Sequence, residues 1–141
     1  MWTEISSNND IQYLLESYGY FHDSCLRDVY ISTMEFVDEK RAMHFSNTLT
    51  ATLLFQRQTY KNDILELRFD DLVYLNYNPL KDNYTNVLLD ASLKLLEGKF
   101  FWADHQDWEV GDNDAVWISG KKLFWRYRPE LIGNIRRVNE R

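Results

Sequence analysis

The residue types with the most chemistry stand side by side in Phe21-His22-Asp23-Ser24-Cys25. A histidine close to a hydroxyl or thiol group can activate it as a nucleophile. Catalytic triads, however, are normally assembled from separate parts of a chain. Neighbours at the start of a strand point in opposite directions. We therefore predict that His22 and Asp23 form hydrogen bonds that fix a helix-to-strand connection, with a reaction site at His22 and Asp23 as the alternative.

A second candidate functional site is an acidic stretch that contains a tryptophan. Calcium is bound by several carboxylates, but the ordered spacing of a calcium-binding loop is missing here. A solvated loop between two hairpins is the simplest interpretation. The next is an acidic surface that binds a basic protein partner through its charges and an exposed indole ring. The residues of this candidate binding surface are Asp104, Asp107, Trp108, Glu109, Asp112 and Asp114.

Metal and sugar sites have less support in the sequence. The three histidines, His22, His44 and His105, are scattered, and the close spacing of ligands typical of metal sites is missing. We therefore expect no metal and no other cofactor. Sugar binding by stacked rings is a further alternative, for which Trp108 and Trp117 are the tryptophans that the strand pattern leaves exposed.

Composition and charge narrow the class of protein. The 141 residues are 45% hydrophobic, which is enough for a core in one domain. The formal net charge is −6, although residues 121–141 are rich in arginine and lysine, so the rest of the chain is strongly acidic. Such a surface repels phosphate groups, and we expect no nucleic-acid partner, with the basic C-terminal end as the one exception left open. Without a signal peptide or a long apolar run, we expect a cytoplasmic protein that does not bind membranes.

The alternation of apolar and polar residues predicts a mainly β, or β-rich α+β, domain. In the clearest segment, Leu65, Leu67 and Phe69 would share one face of a strand. We predict an antiparallel sandwich or a strongly bent sheet of about seven strands with one short N-terminal helix. Residues 1–20 would form the helix region, 21–129 the β-rich core and 130–141 a basic tail. A homo-oligomer is left open.

Turn signals divide this core into strands. The expected strands cover residues 25–37, 42–58 and 64–77, and residues 87–96 are assigned to a strand rather than a helix. Glu97-Gly98 is expected at the turn of one hairpin, and Gly120-Lys121 at the turn of another.

The helix and the core follow from the same patterns. Ser7 or Asn8 is expected to cap a helix that ends at Gly19. The apolar faces of the strands predict a buried core of Leu49, Ala51, Leu53, Phe55, Leu65, Leu67, Phe69, Leu93, Trp102 and Trp125.

The stretch Tyr20-Phe21-His22-Asp23-Ser24-Cys25-Leu26, the alternating strands and the closing Leu123-Phe124-Trp125-Arg126 resemble small bacterial β-rich proteins. The start of the first strand at Phe21-His22-Asp23 is also similar to immunity-protein families of bacterial toxin systems. The resemblance covers the strand pattern over most of the chain, and its motif is a few residues long. It implies a cytoplasmic binding protein without catalytic residues.

Three functions are therefore open at the level of sequence. The leading hypothesis is a non-enzymatic protein that binds another protein. Neutralising a toxin is one role of this kind. The second is a small-molecule or carbohydrate-binding β module, and the third is an enzyme that uses His22 and Asp23. A broad acidic surface would favour a protein partner, and a deep polar pocket would favour a ligand or a reaction.

Overall fold

The computed structural model describes residues 1–58, 61, 63–79 and 85–135, so half of the predicted basic tail, residues 136–141, lies outside the described residues. Short 3-10 turns at Gly19–Phe21 and Pro129–Leu131 accompany the longer elements. In chain order these elements are β1 (Thr3–Ile5), α1 (Asn8–Ser17), β2 (Ser24–Ser32), β3 (Phe36–Val37), β4 (Met43–His44), β5 (Thr50–Arg57), β6 (Ile64–Asn76), β7 (Val87–Leu88), β8 (Ser92–Leu96), β9 (Lys99–Ala103) and β10 (Trp117–Tyr127).

One antiparallel sheet dominates the fold, in the strand order β7-β2-β5-β6-β10-β9-β8. β6 pairs with the full length of β10 along one edge. Along the other edge, β9 pairs with Trp117–Gly120 and β1 pairs with Leu123–Trp125. The sheet is strongly curled, which confirms the predicted mainly β fold in its bent-sheet form. The described residues contain no helix with the length and apolar character needed to cross a membrane.

The core lies on the concave face of the sheet, where α1 covers it with Ile11 and Leu14. Alternate side chains of β5 and β6 point into this core, as the period of two predicts. All predicted core residues are buried except Leu49, which is 38% exposed just before β5. The apolar pattern therefore identified the face of β5, β6, β8, β9 and β10 that points into this core.

The helix begins as predicted, because the Ser7 hydroxyl oxygen accepts a hydrogen bond from the Asp10 backbone N–H at 3.2 Å. The Asp10 carboxylate in turn accepts the backbone N–H of Ser6 at 2.9 Å. These reciprocal contacts fix the position at which β1 ends and the helix starts.

The predicted hairpin at Glu97-Gly98 is confirmed. Leu96 pairs with Lys99 across the turn, and Leu93 pairs with Trp102 further along β8 and β9. Both turn residues have positive φ angles, 52° at Glu97 and 76° at Gly98, as a two-residue hairpin turn of type I′ requires.

The predicted turn at Gly120-Lys121 is wrong, because both residues lie inside the continuous strand β10. Gly120 stands at a register shift between β10 and β6. A Cβ atom at this position would lie 3.0 Å from the Cβ atom of Phe69 and 3.1 Å from the carbonyl oxygen of Asp70. Glycine is therefore needed for a close approach of two strands and not for a turn.

Three of the predicted strands are interrupted. Residues 25–37 divide into β2 and β3, and residues 42–58 divide into β4 and β5. β3 and β4 form a separate two-stranded sheet. Residues 87–96 are not one strand, since β7 and β8 occupy opposite ends of the main sheet. The segment between them therefore spans the opening of the curled sheet.

We expect Leu67→Ala to lower the free energy of unfolding by about 2–5 kcal/mol, since it leaves a cavity in the fully buried core. Leu49→Ala is the matched control and should change it by less than about 1 kcal/mol, because this side chain is partly exposed. Urea unfolding of both variants measures the difference. Equal losses of unfolding free energy in the two variants would contradict the burial of Leu67 and the partial exposure of Leu49.

Candidate functional site

The segment that carries His22 and Asp23 has an unusual backbone. The φ angle is positive at Gly19 (60°), Tyr20 (57°), Phe21 (62°) and Asp23 (53°). Residues other than glycine adopt this conformation only where the surrounding structure holds them there. Burial of the Phe21 ring against Phe55, at a centroid distance of 4.9 Å, provides that restraint. The sharp path turns His22 outward while Phe21 points into the core.

His22 contacts the segment that lies between β7 and β8. Its Nδ1 atom donates to the Leu89 carbonyl oxygen at 2.6 Å and lies 3.7 Å from an Asp90 carboxylate oxygen. Nε2 is 3.4 Å from the Asp23 carboxylate. The Leu89 carbonyl, followed by the charges of Asp23 and Asp90, raises the pKa of His22. The Ser24 hydroxyl donates instead to the Phe21 carbonyl at 2.6 Å, so the structure does not pair His22 with this hydroxyl.

An acidic cleft of about 750 Å³ opens next to this segment. Its walls are residues 85–90 on one side and parts of the loop 104–116 on the other, and Leu26 also lines it. Among the described residues that line it there is no lysine and no arginine. The charged and titratable residues of the acidic cleft are Asp90, Asp104, His105, Asp107 and Asp114.

Asp104 is the most enclosed of these carboxylates. Its Oδ1 atom accepts the backbone N–H of Val116 at 3.1 Å and lies 3.9 Å from His105 Nε2. Burial raises the pKa of Asp104, while His105 and the hydrogen bond from Val116 act in the opposite direction. Partial burial next to a negatively charged wall makes this carboxylate sensitive to any cation that enters the cleft.

The expectation that Trp108 and Trp117 are exposed is wrong. Trp108 is 2% exposed and Trp117 is 6% exposed. Their rings lie 5.1 Å apart, and Tyr74 stacks on Trp117 at 4.5 Å. Neither ring is therefore available to stack on a sugar or to contact a partner. Together they belong to a small second core of Phe101, Ala103, Trp108, Ala115 and Trp117.

Side-chain donors fix the backbone of the loop 104–116 around this second core. The Trp108 indole N–H donates to the Asp112 carbonyl at 2.9 Å. Lys94 Nζ donates to the Trp108 carbonyl at 2.6 Å, and Asn76 Nδ2 donates to the Ala115 carbonyl at 2.8 Å. The loop is therefore held in shape from inside, and its acidic side chains are presented from a fixed backbone.

The structure divides the predicted acidic surface into two groups. Asp104, Asp107 and Asp114 line the acidic cleft, whereas Glu109 and Asp112 are exposed elsewhere on the loop. Sequence reasoning missed Asp90, which reaches the cleft from the segment between β7 and β8. No local spacing signals this approach, because it follows from the curl of the sheet.

The described residues include no group of three or more histidine, cysteine, aspartate or glutamate side chains that could hold a metal ion. The chain matches no model of a known protein family, no curated protein and no solved structure.

We expect Trp108→Ala to lower the free energy of unfolding by about 3–5 kcal/mol, since it removes the centre of the second core. Glu109→Ala, at the adjacent exposed position, is the control and should change stability by less than about 0.5 kcal/mol. Urea unfolding of both variants gives the comparison. A Trp108→Ala variant with unchanged stability would show that the loop does not depend on this ring.

The raised pKa of His22 predicts a pH dependence of stability. A free histidine has a pKa of about 6.5, so the contribution of His22 should be fully present below about pH 6.5. It should be lost as the pH rises through the higher pKa of the folded state. Measuring the free energies of unfolding of the wild type and His22→Ala across this range tests the direction.

NMR titration of the His22 ring provides the control. Asp90→Asn should lower the pKa of His22, since it removes a nearby negative charge, whereas Glu109→Gln should leave it unchanged. A His22 pKa in the wild type at or below that of a free histidine would contradict the observed hydrogen bond to Leu89.

Proposed function

We propose that this chain is a non-enzymatic protein that binds a basic segment of another protein in the acidic cleft. If that protein is a toxin, binding would neutralise it. One observation carries the proposal. Asp90, Asp104, Asp107 and Asp114 line a single cleft that has no lysine or arginine among its described lining residues.

The electrostatics of the cleft support a cationic partner. Carboxylates that line a concave surface with apolar walls strengthen one another's field and attract positive charge before contact. Such an arrangement raises the rate of association and disfavours acidic partners. The acidic cleft therefore selects for lysine or arginine side chains on the protein that binds.

The rigidity of the loop 104–116 also supports binding. A surface that is already ordered loses little conformational entropy when a partner docks. Trp108 and Lys94 hold the loop backbone through the hydrogen bonds to Asp112 and Trp108. The indole therefore contributes from within the loop and not as the exposed contact expected from the sequence.

The polar groups of the cleft favour binding over a reaction. Asp104 already accepts a hydrogen bond from the Val116 backbone N–H, and its 3.9 Å separation from His105 is longer than a direct hydrogen bond.

We retain in this proposal the cytoplasmic location and bacterial origin implied by the resemblance to immunity proteins. It requires one basic partner and leaves homo-oligomerisation open.

The size of the cleft favours a second candidate, a small cationic molecule. About 750 Å³ lies within the range of roughly 300–1,000 Å³ that is typical of small-molecule sites. The same carboxylates would then bind amines. A carbohydrate fits less well, because Trp108 and Trp117 are buried.

A matched pair of charge reversals tests the proposal. Asp107→Lys changes the charge inside the cleft, whereas Glu109→Lys makes the same change on the same loop outside it. Each tagged variant and the wild type would be recovered from the native cell, and bound proteins quantified by mass spectrometry. We expect a basic protein that is at least about tenfold depleted with Asp107→Lys and retained with Glu109→Lys.

Equal retention or equal loss of every bound protein in the two variants would contradict the role of the cleft. Thermal unfolding with spermidine examines the second candidate. Stabilisation of the wild type and of Glu109→Lys but not of Asp107→Lys, together with no bound protein, would favour the small cation instead.

A further inference from the structure

An exposed arm connects β2 to β5. This arm consists of residues 33–48 and contains the small sheet of β3 and β4. It lies within residues 1–58, which the structure describes without a gap. All residues of the arm are exposed except Asp38 and Ser46, which are half-buried. None of its apolar side chains is a member of the cores formed by the described residues.

One carboxylate fixes the turn between β3 and β4. Oδ1 of Asp38 accepts the backbone N–H of Lys40 at 2.8 Å and that of Ala42 at 3.0 Å, and Oδ2 lies 2.8 Å from His44 Nε2. The His44 ring stacks on Phe36 of the opposite strand, with a centroid distance of 4.4 Å. The arm therefore has a defined shape without a core of its own, and its surface is already ordered for contact.

Apolar side chains stand on both faces of the arm. Phe36 pairs with His44, and Val37 pairs with Met43. Because neighbouring residues of a strand point to opposite faces, Phe36 lies on one face and Val37 on the other. Phe36, Val37 and Met43 are 50–57% exposed, and Phe45, just after β4, is 85% exposed. Such an arm is fully covered only by a partner that surrounds it.

The size of this apolar surface is that of a protein interface. The exposed fractions of Met34, Phe36, Val37, Met43 and Phe45 together correspond to roughly 600 Å², at the upper limit of the largest apolar patch on a typical monomer. This is most of the roughly 800 Å² that each partner contributes to an interface of standard size. The area is therefore sufficient for a specific association between two chains.

The charges of the arm are complementary to those of a second arm. Glu35 lies at its base, and the exposed turn at its tip carries Glu39, Lys40 and Arg41. Among the described residues, Glu35, Lys40 and Arg41 form no ion pair. Two arms that lie side by side in opposite directions around a twofold axis would bring Glu35 of each copy to Lys40 and Arg41 of the other. Attraction of opposite charges therefore favours a second copy of this chain as the occupant.

We propose that this chain forms a homodimer in which the arms of two copies pack against each other in antiparallel orientation. The apolar side chains of each arm would be buried by the other arm, and the ion pairs at both ends would set the orientation. The arm follows Ser32 at one end of β2, whereas Leu26, nearer the other end, lines the acidic cleft. The dimer would therefore present two accessible clefts, and this inference does not rest on the proposed function.

Sedimentation equilibrium of the full chain over a range of concentrations tests the association. We expect the measured mass to rise from 17.0 kDa towards twice this value as the concentration increases. Val37→Lys places a charge in the apolar contact and should weaken the dimer by at least about tenfold. Val110→Lys is the matched control, because Val37 is 50% and Val110 is 49% exposed, and it should leave the dimer unchanged.

An exchange of charges tests the antiparallel orientation. Glu35→Lys would bring like charges together at both ends of the paired arms and should weaken the dimer by at least about threefold. Adding Lys40→Glu to the same chain should restore much of the affinity, because opposite charges then meet again. A double variant as weak as Glu35→Lys alone would overturn the proposed arrangement.

The remaining outcomes are equally decisive. A wild type that stays monomeric at every concentration would overturn the proposal, whether the arm then proves to contact another protein or a lipid surface. Equal weakening by Val37→Lys and Val110→Lys would do the same. If thermal unfolding shows that Val37→Lys does not fold, Phe45→Ser decides, since Phe45 lies outside the strands. Asp107→Lys should leave the dimer intact, so a failure of the cleft and a failure of the arm are distinguishable.

Discussion

Three aromatic rings from different parts of the chain meet inside the sheet, and the rest of the structure depends on this contact. Phe21 packs on Phe55 at 4.9 Å and on Trp102 at 6.0 Å, and the latter two rings are 5.0 Å apart. Phe55 belongs to β5 and Trp102 to β9, with β6 and β10 between them in the sheet. Strands this far apart can touch through side chains only if the sheet curls, so burial of these rings imposes the curvature. The same curvature brings β7 and β8 to one opening and creates the acidic cleft between their connection and the loop 104–116.

The convex face of the sheet is stabilised by a different chemistry. Glu66 is 2% exposed and accepts hydrogen bonds from Arg126 at 2.7 Å and from Arg128 at 3.1 Å. The guanidinium groups of Arg68 and Arg126 lie over the Trp2 ring, at 4.7 and 4.1 Å from its centre. Arginine on this face therefore covers apolar surface and neutralises a buried carboxylate. Arg126 and Arg128 are therefore used within the fold, whereas Lys121 and Lys122 of β10 are exposed.

The parts of the fold that could be predicted depend on neighbours in sequence. Period-two alternation identified the buried faces of β5 and β6, and turn chemistry identified Glu97-Gly98. The turn predicted at Gly120 was wrong because glycine occurs both in turns and where two strands approach closely. Which of the two applies here depends on Phe69 in another strand. The predicted exposure of Trp108 was wrong because its burial depends on packing against Trp117 and on the indole hydrogen bond to Asp112. The acidic loop was recognisable from its composition, but its meeting with Asp90 follows from curvature that no local pattern encodes.

The position of β10 in the sheet has a consequence for how the chain is made. This strand pairs with β1, β6 and β9, yet among the strands in the described residues it is the last in sequence order. During synthesis from the N-terminus, β1, β6 and β9 would all leave the ribosome before their common partner exists. The concave apolar face cannot close at that stage, and long-range pairings of this kind form slowly. The sheet is therefore completed only after β10 has been made, and its unpaired edges are exposed to association with other chains until then.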